Sequence, residues 1–194
     1  MCGRYTINNE ALYEMQKLVT MTEPDIFSRR EYDVHPADRA PVILERDGEL
    51  HGEVLRWGFP GYQKTGLVIN ARQETLFEKR MFHDSILLRR CVIPAGGFYE
   101  WNKEKEKYTF RREKGKTMFM AGIYNKYLEE DRFVILTTKA NASMERVHDR
   151  MPLLFTERQV ADWILKKDSY RKLLTQTPYL LEYTTDYEQQ MLDL

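Results

Sequence analysis

The sequence predicts an α+β protein with a core made of a curled antiparallel sheet or a partly closed β-barrel, and with helices flanking that core. Many short apolar or aromatic runs are separated by turn residues, which is typical of antiparallel strands. Helical periodicity is confined to a few segments, and helices do not alternate with strands as they do around a parallel sheet. The 194 residues show no repeat or linker, so we expect one domain over 1–194.

The first predicted elements are a short strand and an amphipathic helix. The segment "RYTI" (4–7) alternates as a strand does. In "NNEALYEMQKLVTM" (8–21) apolar side chains recur at helical spacing. Asn8 or Asn9 can cap this helix, since a short polar side chain there accepts a hydrogen bond from the first turn.

The next predicted elements are a hairpin, a strand and a helix. Residues 40–59 contain two strand-like runs around Asp47-Gly48, a pair that favours the tight turn of a hairpin. The segment "GLVINAR" (66–72) predicts a strand. The segment "ETLFEKRMF" (74–82) predicts a helix.

The second half of the chain predicts five more strands and a C-terminal helix. The five strand-like runs are "RCVIP" (90–94), "GFYEWN" (97–102), "KYTFRR" (107–112), "TMFMAGIY" (117–124) and "RFVILTT" (132–138). The charged stretch "NKEKEK" (102–107) lies between two of them and indicates a hairpin tip. In "TERQVADWILK" (156–166) Thr156 and Gln159 have the spacing of a capping box, and "SYRKLL" (169–174) extends or follows that helix.

The composition excludes several classes of function. Thirty basic and 30 acidic residues give zero net charge, which excludes a broadly basic coat for nucleic acid but not a local basic groove. The two cysteines make no disulfide framework, and Cys91 lies in an apolar run typical of a core. No spacing typical of zinc ligands occurs, so we expect no metal and no other cofactor. No signal peptide or span of ~20 apolar residues is present, so we expect a cytosolic protein, associated with the nucleoid when bound to DNA. We also expect a monomer.

Cys2 stands directly behind Met1. If Met1 is removed, Cys2 carries both an α-amine and a thiol, whose reference pKa values lie near ~8 and ~8.5. The amine can attack an aldehyde to give a Schiff base, and the neighbouring thiolate can then close a five-membered thiazolidine ring. The same residue could serve as the N-terminal nucleophile of an amidohydrolase, or it could be incidental.

Three further segments carry side chains suited to a site. Asn70 ends the apolar run of "LVINARQET" and Arg72 follows on the same face, so an amide could orient a substrate and an arginine could bind a phosphate. Glu100 in "RRCVIPAGGFYEW" follows two aromatic residues and would suit general acid–base work if buried. His148 in "VHDRMPLLF" can shuttle protons near neutral pH. Each also has a structural interpretation: a turn amide, a solvated charge or a core histidine.

Arginines and aromatic residues interleave along the chain. Positive charges beside stacking surfaces are what single-stranded nucleic acid requires. In a chain of zero net charge the pattern is also compatible with ordinary surface packing. The residues concerned are Arg4-Tyr5, Arg56-Trp57, Arg72, Arg89-Arg90, Tyr99, Trp101 and Arg150.

Four segments, in this order, resemble the SRAP (SOS-response-associated peptidase) family. They are "MCGRY", "INARQET", "RRCVIPAGGFYEW" and "TTKANASMERVHDRMP", and "RWGF" matches the family's tryptophan-glycine segment. The resemblance runs from residue 2 to about Trp163. Several motifs in the correct order are far more specific than any one of them.

The resemblance implies a protein that recognises abasic sites in single-stranded DNA and crosslinks to them through its N-terminal cysteine. It implies that Cys2 is the nucleophile and that Asn70 positions Cys2 and the sugar. It implies that His148 shuttles protons to open the sugar ring and form the Schiff base, and that Glu100 exchanges protons with the sugar oxygen and the intermediate. The family's peptidase label fits removal of Met1, and a Schiff base at C1′ also permits strand cleavage by β-elimination.

The resemblance also implies DNA contacts and leaves rivals open. Arg4, Arg72 and Arg150 would neutralise phosphates, and Trp57 and Trp101 are candidate stacking surfaces. The chain departs from the family's usual pattern in "EYDVHPADRAP", in the compact "WGFPGY", and at His83, where a basic phosphate contact is common. The rivals are an N-terminal-nucleophile cysteine peptidase acting on protein, and a pure single-stranded-DNA-binding module in which the cysteine is incidental.

Overall fold

A computed structural model of the chain describes residues 2–22, 26, 31–61 and 65–185. Its helices are α1 Asn9–Leu18, α2 Arg80–Leu88, α3 Glu157–Leu165 and α4 Tyr170–Leu174. Its strands are β1 Tyr5–Ile7, β2 Met21–Thr22, β3 Tyr32–Val34, β4 Arg39–Arg46, β5 Glu49–Trp57, β6 Phe59–Pro60, β7 Leu67–Val68, β8 Asn70–Arg72, β9 Arg90–Ala95, β10 Gly97–Trp101, β11 Lys107–Arg111, β12 Met118–Tyr127, β13 Glu130–Lys139, β14 Arg150–Pro152, β15 Leu154–Phe155 and β16 Glu182–Thr185.

Five of the strands close into a barrel. They run in the order β13-β12-β9-β4-β5 with antiparallel neighbours, and the barrel closes where β5 lies parallel to β13 through the pairs Arg56–Arg132 and Trp57–Phe133. Closure removes the unpaired edges that an open sheet would expose. The predicted α+β class with a barrel core is confirmed, and the barrel is closed rather than partly closed.

A second sheet of five strands lies against the barrel. Its order is β16-β11-β10-β1-β3, and every neighbouring pair is antiparallel. The two sheets meet through aromatic packing, since the ring of Tyr5 on β1 contacts the ring of Trp57 on β5 edge-on, with centroids 5.1 Å apart. β8 extends the barrel by pairing with β13, and Asn70 on β8 contacts Cys2, which precedes β1, across the seam between the barrel and the second sheet.

A buried arginine links two helix ends. The Arg90 guanidinium donates to the carbonyls of Ile86 and Leu87 at the end of α2 and to those of Trp163 and Ile164 at the end of α3, over 2.6 to 3.1 Å. Carbonyls in the last turn of a helix have no partner within the helix, and a cation there is also stabilised by the negative end of the helix dipole. Burial lowers the pKa of Arg90. Both helices are thereby held against β9, on which Arg90 lies.

Local sequence signals explain several element ends. The Asn8 side chain caps α1 by accepting a hydrogen bond from the amide of Ala11 at 2.9 Å, as predicted. The predicted capping box of Thr156 and Gln159 begins α3. Asp47 and Gly48 both take positive φ values, 54° and 84°, which a two-residue hairpin turn requires.

Three predicted boundaries differ from the structure, the first two because of tertiary pairing. α1 ends at Leu18 instead of continuing to 21, since Met21 and Thr22 pair with β5. The predicted strand 66–72 is two strands, because β7 pairs with β6 while β8 pairs with β13. The predicted helix at 74–82 is wrong in position, since α2 begins at Arg80 after a single 3-10 turn.

The helices of the described ranges are all too short or too polar to cross a bilayer. The longest, α1, has ten residues, whereas a span needs ~20.

Candidate active site

Cys2 lies at the seam between the second sheet and the barrel. β1 pairs with β10 through Tyr5 and Phe98, and the Tyr99 amide donates to the Arg4 carbonyl at 3.0 Å, so the pairing continues towards the N-terminus. From the barrel side, Asn70 Nδ2 donates to the Cys2 carbonyl at 2.9 Å. Cys2 is consequently 1% exposed, which is unusual so near a chain terminus.

The environment of the Cys2 thiol favours its protonated form. Burial, and to a smaller extent the negative charge of nearby Glu100, raises the pKa of Cys2 to about 12. The thiol donates a long hydrogen bond, 3.8 Å, to the Arg4 carbonyl, and only the protonated sulfur can make this contact. At neutral pH, Cys2 therefore carries a thiol rather than a thiolate in this state.

The side-chain nitrogen of Asn70 binds Cys2, whereas its side-chain oxygen has no hydrogen-bond partner among the described residues. β8 runs parallel to β13, with Asn70 beside Ile135, and this pairing fixes the amide at the seam. Its Oδ1 atom is buried and accepts no hydrogen bond from the described part of the chain. A buried acceptor without a partner is costly. The oxygen is thus suited to a donor that arrives with a substrate or with a change at the N-terminus.

Glu100 is buried on β10, whereas its neighbour Trp101 points outward. The two side chains are 6% and 38% exposed respectively, as the alternation of a strand requires. The interpretation of Glu100 as a solvated surface charge is therefore wrong. Its carboxylate lies close enough to influence ionisation of Cys2, which places an acid–base group beside the thiol.

His148 is positioned on the turn that leads into β14. The Arg150 amide donates to His148 Nδ1 at 2.9 Å, and the same nitrogen lies 2.9 Å from Asp149 Oδ1. The two contacts need different protonation states, because Nδ1 must be unprotonated to accept from Arg150 and protonated to pair with Asp149. We favour the first for neutral imidazole, since a backbone amide is always a donor. Neutral His148 then carries its proton on Nε2.

The turn that carries His148 is fixed to β8 by a second ion pair. Arg150 donates to both carboxylate oxygens of Glu74, at 2.5 and 2.9 Å, and to the Thr137 carbonyl at 2.7 Å. Glu74 follows β8 in the chain, and Thr137 on β13 pairs with Arg72 on β8. The bond from Arg150 lowers the pKa of Glu74. Cys2, Asn70 and Glu100 lie together at the seam. The contacts that Arg150 makes with Glu74 and Thr137 hold the turn that carries His148 near the end of β8.

The three arginines predicted to bind phosphate differ in their surroundings. Arg4 donates to Asp33, and its guanidinium lies 4.8 Å from the centre of the Tyr99 ring. Arg150 is only 11% exposed and is committed to Glu74, so its predicted phosphate contact requires Glu74 to release it. Arg72 is exposed on β8.

The prediction that Trp57 is a stacking surface is wrong. Trp57 is fully buried, its indole nitrogen donates to the Ile69 carbonyl at 2.9 Å, and its ring stacks on Phe133 inside the barrel. The neighbouring Arg56 made the segment resemble a surface motif, but Arg56 is paired with Glu130. Trp101 remains exposed and retains the predicted stacking role as a candidate.

Sequence reasoning missed the partners of Arg4 and Arg150. Asp33 lies in "EYDVHPADRAP" and Glu74 lies in "INARQET", and neither segment indicates an arginine partner. The ion pairs join residues 29 and 76 positions apart, so no local spacing reveals them. In the described ranges no three or more histidine, cysteine or carboxylate side chains are grouped to hold a metal. Cys91 is buried in the core as predicted.

Comparison with known proteins identifies relatives across almost the whole chain. The model of the family described as "SOS response associated peptidase (SRAP)" matches residues 1–190. The chain is 33% identical over 184 residues to "Abasic site processing protein YoqW" of Bacillus subtilis, covering 87% of this chain and 82% of that one. It is 31% identical over 181 residues to "Abasic site processing protein YedK" of Escherichia coli, with the same coverage.

A crystal structure of a protein from Bacteroides thetaiotaomicron superposes with a TM-score of 0.80 at 23% identity, covering 95% of this chain and 91% of that one. This superposition shows that the two chains share the same fold. Family membership is shown by the match of the family model over 1–190 and by relatives above 30% identity. The chain belongs to the SOS response associated peptidase (SRAP) family.

Proposed function

We propose that this protein senses abasic sites in single-stranded DNA and forms a thiazolidine crosslink to them through Cys2 after removal of Met1. The observation that carries the proposal is the burial of Cys2 at the seam, held by Asn70 and faced by Glu100. An aldehyde is the substrate that a 1,2-aminothiol captures, and an opened abasic sugar supplies one. The names of the relatives, abasic site processing proteins, agree with this chemistry.

The first step joins the Cys2 amine to the sugar. The neutral amine attacks C1′ of the opened deoxyribose, a carbinolamine forms, and loss of water leaves a Schiff base. His148 gives a proton from Nε2 to the ring oxygen as the sugar opens, and takes one back as the amine adds. Asn70 Oδ1, which has no partner in the described residues, accepts a hydrogen bond from the new amine or from a sugar hydroxyl.

The second step closes the ring without a further reactant. The Cys2 sulfur attacks C1′ of the protonated imine, the C–N double bond becomes single, and nitrogen takes up the electron pair as an amine. The thiol loses its proton in this step, and we assign Glu100 as the acceptor because its charge acts on Cys2. The balance of the two steps is one water released. The crosslink shields the lesion for as long as it persists.

Removal of Met1 would change the thiol as well as create the amine. Met1 lies outside the described residues, and its removal would give Cys2 an α-ammonium group on the carbon next to the one bearing the sulfur. A positive charge at that distance favours the thiolate and opposes the effect of burial. Both Cys2 and Cys91 are free thiols, and a reducing compartment such as the cytosol, where the protein would meet the nucleoid, keeps Cys2 available.

Single-stranded DNA would cross the seam on a charged and aromatic surface. Arg4 and Arg72 would contact phosphates, Arg150 would join them if Glu74 released it, and Trp101 would stack on a base. Such contacts position DNA without reading its sequence, so binding should weaken as salt rises.

Replacing Trp101 should affect DNA binding, whereas replacing Trp57 should affect the stability of the fold. Trp101→Ala should weaken binding to single-stranded DNA roughly five- to tenfold, because one base loses its stacking surface, and should leave thermal unfolding nearly unchanged. Trp57→Ala should lower the free energy of unfolding by about 3–5 kcal/mol, because it empties a core position. Fluorescence anisotropy with a labelled oligonucleotide and chemical denaturation measure the two quantities. A folded Trp57→Ala protein that loses only DNA binding would contradict the assignment of Trp57 to the core.

The direct test of the proposed function is intact mass. The protein is mixed with a single-stranded oligonucleotide carrying one abasic site, with the undamaged oligonucleotide and the damaged duplex as controls. We expect a stable adduct on damaged single-stranded DNA only, with a protein component that lacks Met1 and with a mass equal to the sum of the two less one water. No adduct from folded protein lacking Met1 would overturn the proposal.

Two further activities are compatible with the same residues. The family name fits autocatalytic removal of Met1, and a Schiff base at C1′ permits β-elimination of the strand. In the same reaction, a denaturing gel would show the cleaved oligonucleotide if lyase activity competes with ring closure. A cysteine peptidase acting on other proteins is the alternative, and turnover of a peptide by protein that gives no DNA adduct would favour it.

A further inference from the structure

One carboxylate holds the arginine that lies nearest to Cys2 in the chain. Asp33 on β3 accepts hydrogen bonds from Arg4 through Nε, at 2.8 Å, and through Nη2. Its other oxygen accepts from the hydroxyl of Tyr99 at 2.9 Å and from that of Thr6 at 3.2 Å. Because both oxygens are used, Asp33 is a fixed anion at the edge of the seam rather than a mobile surface charge.

We propose that Asp33 determines how tightly the protein holds single-stranded DNA, by competing with a DNA phosphate for the Arg4 guanidinium. This inference rests on the proposed function, in which Arg4 is a phosphate contact. Both Arg4 N–H groups donate to one oxygen of Asp33, and a phosphate oxygen can accept the same pair of hydrogen bonds, so one anion can replace the other. While Arg4 is paired with Asp33, its charge is neutralised and adds little to the attraction for DNA.

The surroundings keep Asp33 ionised and Arg4 reachable. Partial burial opposes ionisation of Asp33, but the hydrogen bonds from Arg4 and Tyr99 outweigh it and lower the pKa of Asp33 below its usual range. About a third of the Arg4 side chain is exposed, so an incoming phosphate can meet the guanidinium. The Tyr99 ring, 4.8 Å from the guanidinium carbon, supports the side chain in this position.

The backbone of Arg4 is held separately from its side chain. The Arg4 carbonyl accepts from the Tyr99 amide at 3.0 Å and from the Cys2 thiol at 3.8 Å. An exchange of Asp33 for a phosphate would therefore move the guanidinium and leave Cys2 in place. We therefore expect Asp33 to affect the affinity for DNA and not the rate of the covalent reaction that follows binding.

The test is Asp33→Asn, which keeps the shape and the acceptor oxygen for Tyr99 and Thr6 while removing the charge. We expect about fivefold tighter binding to undamaged single-stranded DNA at low salt, because one more cation meets a phosphate. The plot of log K against log salt should steepen by about 0.7. The rate constant of adduct formation at saturating DNA should stay unchanged. Glu129→Gln, which removes the same charge from a side chain 99% exposed, is the matched control and should change none of these.

A double-mutant cycle tests whether Asp33 affects DNA binding through Arg4. In an Arg4→Gln background, Asp33→Asn should no longer tighten binding, because the competition is for Arg4. Persistence of the effect in that background, weaker binding by Asp33→Asn, or an equal effect of Glu129→Gln would each overturn the inference. Asp33→Ser serves as a second variant, with thermal melting to verify that each protein folds. Because binding to undamaged DNA is measured apart from the adduct, failure of the crosslink and failure of this inference are distinguishable.

Discussion

Cys2→Ala should abolish the stable adduct with abasic single-stranded DNA. After removal of Met1 this variant keeps the α-amine but has no sulfur to close the ring, so the reaction stops at a Schiff base that water reverses. Borohydride reduces a Schiff base to a stable amine. We therefore expect an adduct of Cys2→Ala only when borohydride is present, whereas the wild-type adduct should not depend on it. Intact mass spectrometry with and without borohydride measures both.

Cys91→Ala is the matched control for that experiment. Cys91 is the other free thiol, it is fully buried, and burial raises its pKa as it does for Cys2. It lies on β9 in the barrel wall, and its replacement should cost about 1 kcal/mol of stability by leaving a small cavity. The yield of adduct should remain that of the wild type. Loss of the adduct in folded Cys91→Ala, or a borohydride-independent adduct of Cys2→Ala, would contradict the assignment of Cys2 as the crosslinking residue.

Much of the fold follows from periodicity that is visible in the sequence. Alternation predicted that Asn70 and Arg72 share a face, and the structure places buried Ala71 between them. The turn at Asp47-Gly48 and the capping box of α3 were predictable because their chemistry is local. These signals describe how a residue relates to its near neighbours, which is sufficient to class the protein as α+β with a barrel core.

The parts that sequence reasoning missed depend on distant contacts. Trp57 follows an arginine and resembles a surface aromatic, but its burial is decided by the pairing of β5 with β13, more than 70 residues away. The helix predicted at 74–82 begins only at Arg80, after a 3-10 turn at Gln73–Thr75 and a buried Leu76, and no local signal in the sequence marks that start. The partners of Arg4 and Arg150 are set by the approach of β3 and β8 to other elements. Motif order identified the residues at the seam, while only the fold shows what each of them contacts.

Replacement of His148 by alanine should slow crosslinking to a cyclic abasic sugar by roughly 10²- to 10⁴-fold, the range that a positioned proton donor contributes. Nδ1 is occupied by the Arg150 amide, so the proton on Nε2 is the one available for the ring oxygen. The final yield should still approach that of the wild type, because a catalyst changes the rate and not the equilibrium. A time course by denaturing gel separates rate from yield.

His83→Gln supplies the control for His148, because His83 also lies beside an aspartate, with its Nδ1 atom 3.0 Å from Asp84, but on the solvent-exposed face of α2. Its replacement should leave the rate within about twofold of wild type. A small acyclic aldehyde tests the role itself, since it has no ring to open: the defect of His148→Ala should shrink towards the part that belongs to Schiff-base formation. If the defect with the acyclic aldehyde is as large as with the abasic sugar, His148 does not act on the ring oxygen. Its contribution then lies wholly in the addition of the amine and the loss of water.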